Sequence, residues 1–201
     1  MAKALNGYRI LATKVIFTLM LLTVAFTRNL DPTSSIPHQV FDYTGYLLLA
    51  VCALGRLYTT AFIGGYKNKQ LITYGPFSMV RNPLYFFSLV GIIGIAFLSN
   101  RLIIGTALIV SFFVIFSRLI SREEKFLQSE FGEPYNQYMG KVPRLLPNPR
   151  LYQCPQEIVM TPKYLTNAFK DAIWWFVAFP VFEIIEKLQD LDKIPTYFFL
   201  P

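Results

Sequence analysis

Residues 81–126 read RNPLYFFSLVGIIGIAFLSNRLIIGTALIVSFFVIFSRLISREEKF, and the architecture of the chain follows from them. Asn82 supplies an acceptor for free backbone N–H groups, and Pro83 has its φ preset for a first helical turn. Pro83 to Leu98 then runs without a charge. Only Ser99, Asn100 and Arg101 precede a second apolar run from Leu102 to Ile120, so the pair predicts a tight antiparallel helical hairpin. No breaker follows until Gly132, which suits the residue after a helix end. A helix from Leu102 to Phe131 is about 45 Å long at ~1.5 Å per residue, against a ~30 Å hydrocarbon core. Its last third must leave the bilayer.

The rest of the 201 residues agrees with a membrane setting. The hydrophobic fraction is 54% and the charged fraction 15%, with a mean hydropathy of +0.41. Soluble domains carry about 25% charged residues, so a solvated globular enzyme, a disordered chain and a coiled coil are excluded. Two further runs are long enough to cross: Ile10 to Thr27, in which Lys14 can snorkel, and Val40 to Gly65. The fold class is therefore all-α, a multi-pass membrane bundle of about four spanning helices with a cytosolic cap. The net charge of +7 is spread between apolar runs, which fits a membrane surface and gives no tract for nucleic acid. Cys52 and Cys154 lie far apart, with neither disulfide-framework nor zinc spacing.

Lys and Arg set the orientation. They gather before the first run, in the 66–82 loop and after residue 120, while the other two loops carry only Arg28 and Arg101. The positive-inside rule places the N-terminus, the 66–82 loop and the region past 120 in the cytoplasm. His38, the only histidine, then falls in an outer loop and is expected to be solvated. The chain divides into N-terminal spans (1–65), a core (66–150) and a C-terminal segment (151–201). In that last segment Asn167 to Leu191 is predicted helical with a kink at Pro180. Its strictly apolar part, Ala172 to Phe182, is short, and Glu183 and Glu186 are costly in mid-bilayer. These features predict an interfacial or re-entrant helix.

Three polar clusters fall on the predicted cytosolic side. Around Gly75-Pro76-Phe77 and Arg81-Asn82-Pro83-Leu84-Tyr85, a capped helix start beside a fixed cation makes a site for a carboxylate or phosphate. Phe77 and Tyr85 add aromatic faces. At the end of the long helix, Leu119, Glu123 and Leu127 share a stripe, which turns Glu123 inward, whereas Glu124 reads equally as an exposed helix-end charge. Arg118 and Arg122 stand one turn apart, repelling unless an anion lies between them; headgroup snorkelling is the other reading. Phe131 to Tyr138 and Val142 to Pro147 form a short helix and a strap that would close a pocket. Tyr135, Tyr138, Trp174 and Trp175 suit the wall of an acyl or prenyl entry route.

In series, these clusters resemble the isoprenylcysteine carboxyl methyltransferase family and the related phospholipid methyltransferases. The family pattern is Gly-Pro-Tyr/Phe, Arg-His-Pro-x-Tyr, Glu-Glu-x-x-Leu, Phe-Gly-x-x-Tyr-x-x-Tyr and Val-Pro-Arg-x-x-Pro. Its counterparts here run from Gly75-Pro76-Phe77 to Val142-Pro143-Arg144-Leu145-Leu146-Pro147, covering roughly residues 66 to 147. The resemblance implies an integral-membrane methyltransferase using S-adenosylmethionine (SAM). By position, Gln70, Leu71, Ile72, Phe77, Asn82, Pro83, Tyr85 and Glu123 would line the cofactor site, with Arg81 beside them. Glu123, Arg118 and Arg122 are the candidate catalytic residues. Asn82 stands where the family has His, and Leu119 where a substrate-binding Arg is usual. The implied acceptor is the carboxylate or another polar group of a lipid or lipidated molecule. A phospholipid amine N-methyltransferase and a membrane NADPH-dependent reductase of sterol-reductase type are the alternatives.

Overall fold

The computed structural model describes residues 15, 18–29, 33, 35–66 and 70–200, apart from the side chain of Leu200. Of the predicted Ile10–Thr27 span, residues 10–14, 16 and 17 therefore lie outside the described residues; positions 18–26 are helical. The elements that follow are β1 (Thr27–Asn29), α1 (Ile36–Ile63), α2 (Pro76–Met79), α3 (Pro83–Leu98), α4 (Leu102–Phe131), α5 (Glu133–Lys141), a 3-10 turn (Pro149–Leu151), α6 (Pro162–Asp190) and β2 (Phe198–Leu200). The chain is mostly helical. It departs from all-α in one place, where β1 and β2 pair in parallel, Thr27 opposite Phe198.

α3 and α4 have the predicted bounds, and Gly132 follows Phe131 as the end of α4. Two described helices, α1 and α4, are long and apolar enough to cross a bilayer. At 16 residues α3 is about 24 Å long, less than a ~30 Å core.

Close packing sets the bundle. α1 and α3 run antiparallel, and a Cβ on Gly94 would stand 2.9 Å from the Gly45 carbonyl oxygen. A Cβ on Gly91 would meet Cys52 Sγ at 2.6 Å and the Trp175 ring at 2.5 Å. On the other face of the hairpin, Gly105 lies against Ala96. Small residues thus bring backbones together where lipid supplies no hydrophobic drive between helices.

α6 covers the segment expected to be interfacial or re-entrant. It lies antiparallel along α1 for nearly its whole length. At one end Gly64 packs against Tyr164, and at the other His38 Nε2 stands 3.1 Å from Glu186 Oε2. Ala178 and Phe182 enter the main core with Leu49, Ile95, Leu98 and Ile104.

His38 is buried in the first turn of α1, not solvated in a loop. The helix begins earlier than predicted because Ser35 caps it, accepting from the His38 N–H. Arg101, counted among outer-loop charges, is also buried. Its guanidinium donates to the carbonyls of Ser99 and Thr27, pinning the α3–α4 turn to the segment before α1. Gln189 of α6 donates to the same Thr27 carbonyl at 3.1 Å.

If the α1–α3 contact sets the spacing, a side chain at Gly94 must separate the two backbones. We expect Gly94→Val to destabilise the detergent-solubilised protein by about 1–3 kcal/mol in thermal unfolding. Gly140 serves as the control, since a Cβ there would meet none of the described residues within 4 Å. Gly140→Ala is expected to be neutral or to stabilise by about 0.5–1 kcal/mol. Equal effects of the two substitutions would contradict this packing.

Candidate active site

The start of α3 and the exit of α4 meet at one end of the bundle, because the hairpin is antiparallel and α4 is the longer arm. Three segments contribute. The Gly75 turn and α2 lead into Arg81 and Asn82. α4 carries Glu123 and Glu124. The strap after α5 returns through Pro143 and Arg144.

The backbone fixes these segments before any side chain acts. Arg81 N–H donates to the Pro143 carbonyl at 2.9 Å, and Asn148 N–H to the Met79 carbonyl at 2.9 Å. Gly75 N–H donates to the Gln153 carbonyl at 2.7 Å. Gly75 has φ +62°, and any Cβ there would collide with the Phe62 ring. Beneath the turn, Tyr138 O–H donates to the Phe77 carbonyl at 2.7 Å in a buried bond. Leu127 and Phe131 of α4 pack against the Tyr135–Tyr138–Val142 cluster of α5 and the strap, along with Leu71.

On this frame the polar groups converge. Asn82 occupies the N-cap position of α3 but makes no side-chain capping bond among the described residues. Its amide is diverted, with Nδ2 donating to Glu124 Oε1 and to the Arg144 carbonyl, each at 3.0 Å. Glu124 also pairs with Arg144 Nε at 2.9 Å and faces Arg81 Nε at 3.6 Å. The latter distance is too long for a hydrogen bond, and Arg81 Nε is a buried donor without an acceptor among the described residues. Tyr85 O–H donates to Glu123 Oε2 at 2.9 Å, and the Tyr85 ring lies edge-on to Phe116, 5.6 Å between centroids.

Both adjacent glutamates therefore face the start of α3. Glu123 turns inward, as its stripe with Leu119 and Leu127 requires, but Glu124 is held by Asn82 and Arg144 and is no mere helix-end charge. Arg144 joins the cluster too, although the sequence reading gave it no role. The signal available for both was the motif itself: the second Glu of the pair and the Arg of Val142-Pro143-Arg144.

The other expected residues are placed as follows. Ile72 and Phe77 are buried together with Phe62, and Pro83 is buried at the foot of α3. Leu71 is half-buried and Gln70 exposed. Arg118 and Arg122 are exposed and line an open cleft of about 300 Å³ with Ser117 and Ser121. Ser121 Oγ accepts from Arg144 at 2.6 Å, which links that cleft to the Glu124 cluster. Tyr135 and Tyr138 are buried beneath the strap and do not form the outer wall expected of them, whereas Trp174 is well exposed. Burial, reinforced by the Glu124 charge, pushes the Tyr135 phenol up to about 12, so it is neutral at ordinary pH.

Residues 39–134 match the phospholipid methyltransferase family. The chain is 28% identical over 187 residues, 92% of its length and 85% of the relative's, to the cobalt-zinc-cadmium resistance protein CzcN of Cupriavidus metallidurans. It is 32% identical over 100 residues, 49% of its length and 52% of the relative's, to a probable protein-S-isoprenylcysteine O-methyltransferase of Oryza sativa. A protein-S-isoprenylcysteine O-methyltransferase of Schizosaccharomyces pombe is 32% identical over 81 residues, 40% of this chain and 34% of that protein. No solved structure matches. Residues 39–134 hold Arg81, Asn82, Tyr85, Glu123 and Glu124, though not Arg144, and their match to the phospholipid methyltransferase family, with isoprenylcysteine methyltransferases among the similar proteins, supports a membrane methyltransferase activity.

Proposed function

We propose that the chain transfers a methyl group from SAM to a lipid or lipidated acceptor at the cytosolic face of a membrane. The observation that carries the reading is the convergence of Arg81, Asn82 and Tyr85 on Glu123 and Glu124, inside a segment that matches methyltransferases.

The cluster fits the cofactor in one specific respect. Arg81 Nε is a buried donor with no acceptor among the described residues, and a carboxylate such as that of the SAM amino-acid moiety would satisfy it by a charge-assisted bond. Asn82, Pro83 and Tyr85 would line the same face, with Phe77, Ile72, Leu71 and Gln70 beneath and beside them. SAM supplies a methyl group already activated on a sulfonium centre. The chain's task is to position the acceptor against it and to keep water out. A carboxylate acceptor arrives ionised and needs no base. An amine acceptor must lose a proton, and Glu123, held at Oε2 by Tyr85, is placed to take it. Asn82 can hold a ligand by hydrogen bonds but cannot shuttle a proton as imidazole can.

Arg118 and Arg122 would hold the acceptor's anionic group. They line an open cleft with Ser117 and Ser121, on the stretch of α4 that would leave the hydrocarbon. Four helices would span: the one before β1, α1, α3 and α4.

Three results test this. In calorimetry with protein in lipid nanodiscs, SAM should bind, and Arg81→Ala should weaken it about 10-fold or more, the worth of one charge-assisted bond. Absence of SAM binding in both detergent and lipid would end the reading. Label from methyl-labelled SAM should enter a lipid extract, with the apparent KM for the lipid raised in Arg118→Ala or Arg122→Ala; label confined to water-soluble acceptors would refute the lipid assignment. The two glutamates should separate. Glu124→Gln loses the charge partner of Arg81 and Arg144 and should cost about 1–2 kcal/mol in thermal unfolding, discounted because Arg144 is partly exposed. Glu123→Gln should, for an amine acceptor, lower kcat by about 100-fold. No loss of stability in Glu124→Gln, or an undiminished kcat in Glu123→Gln with an amine acceptor, would contradict these roles.

A further inference from the structure

At the opposite end of the bundle a second polar cluster has no part in methyl transfer. His38 and Asp42 come from the first turns of α1, and Glu186 from the last turns of α6. α1 is 28 residues long, about 42 Å at ~1.5 Å per residue, and that length separates the cluster from the Glu123–Glu124 site. His38 Nε2 stands 3.1 Å from Glu186 Oε2 and 3.4 Å from Asp42 Oδ2. One atom from each of the three residues lies within 4.8 Å of the others.

We propose that His38, Asp42 and Glu186 form a binding site for one divalent transition-metal ion of the Zn²⁺ class. Spacing supports this first. Ligand atoms about 2.0–2.2 Å from a tetrahedral ion stand about 3.3–3.5 Å from each other. The two contacts at His38 Nε2 are already close to that spacing. The donor set agrees. One imidazole nitrogen with two carboxylate oxygens suits a borderline ion, whereas Mg²⁺ and Ca²⁺ favour oxygen alone.

The surroundings of the cluster point the same way. Asn100 Nδ2 donates to Asp42 Oδ1 at 2.6 Å, which leaves Oδ2 for the ion. Asn29 Nδ2 lies 3.4 Å from His38 Nδ1; with a metal on Nε2 the proton sits on Nδ1, and the Asn29 amide would have to turn its oxygen to that N–H to hold the ring. Asn100 Oδ1 is buried without a hydrogen-bond partner among the described residues, a spare acceptor beside the cluster. The three residues also border a cleft of about 480 Å³, whose lining adds Glu183, Asp190, which pairs with Arg28 at 2.8 Å, and one Lys, Lys187. That charge balance draws in cations and leaves a route to a fourth ligand position. Three protein ligands and one open position is the arrangement of zinc sites that exchange a ligand.

The test uses the full chain in detergent or nanodiscs with any affinity tag removed. Co²⁺ is titrated and its visible d–d absorption recorded, followed by displacement with Zn²⁺. A single saturable site is expected, with the bands removed by Zn²⁺ and not by Mg²⁺. Glu186→Gln and Asp42→Asn should each weaken Co²⁺ binding at least about 10-fold, the usual worth of one ligand interaction or more, and His38→Ala should abolish the bands. Glu123→Gln, at the other end of the molecule, should leave the spectrum unchanged. Because His38→Ala removes a buried contact and can unfold the chain, the two conservative carboxylate variants decide the matter. If wild type binds no stoichiometric Co²⁺, or if Glu186→Gln and Asp42→Asn bind it as wild type does, the cluster is only a hydrogen-bonded staple between α1 and α6. The readout involves neither SAM nor methyl transfer, so its failure is separate from any failure of the functional reading above.

Discussion

The Glu124 carboxylate is the point at which the side chains of three segments meet, on a frame that backbone hydrogen bonds such as Arg81 N–H to the Pro143 carbonyl already hold. Arg81 and Asn82 reach it from the start of α3, Arg144 from the strap, and α4 carries it in its C-terminal third. Two cationic side chains and an amide around one carboxylate hold these segments in register. The neighbouring Glu123 is thereby left facing Tyr85. A carboxylate at the C-terminal half of a helix opposes the dipole, so Glu124 depends on its partners as much as they depend on it. The hairpin's unequal arms make this possible, since the 30 residues of α4 extend well past the 16 of α3 and leave a polar stretch beyond the ~20 that a bilayer core needs.

Much of this is legible locally. Asn82-Pro83 marks the start of α3, Ser99-Asn100-Arg101 the turn, and Gly132 the end of α4, because each acts on backbone geometry within a few residues. What is not legible depends on partners distant in sequence. The stripe through Leu119, Glu123 and Leu127 is correct helical geometry, yet it cannot reveal that the strap brings Arg144 onto Glu124. Asn82 reads as a cap because its type and position suit one; Glu124 competes for its amide and prevails. His38 reads as a loop residue because its partner Glu186 lies 148 residues away. The same distance hides the pairing of α6 with α1, since the apolar stretch of α6 gives no indication of what covers it.

The bundle thus has two polar ends joined by small-residue contacts. One end gathers Arg, Asn, Tyr and Glu around a segment that matches methyltransferases. The other gathers His38, Asp42 and Glu186, with Arg101 and Gln189 stitching α3–α4 and α6 to the segment before α1. Gly45, Gly91 and Gly94 lie between them, so helix spacing is set independently of either polar cluster. This separation allows each end to be altered without rebuilding the other.

On the proposed function, Asn82 and Glu124 act as one unit in holding the cofactor face. A double-mutant cycle in SAM affinity tests this directly, using Asn82→Ala, Glu124→Gln and the double variant in nanodiscs. Residues in one hydrogen-bond network couple by about 0.5–3 kcal/mol, so the double variant should bind SAM only slightly more weakly than the worse single variant. Strict additivity of the two losses, or SAM affinity unchanged in all three, would contradict the account.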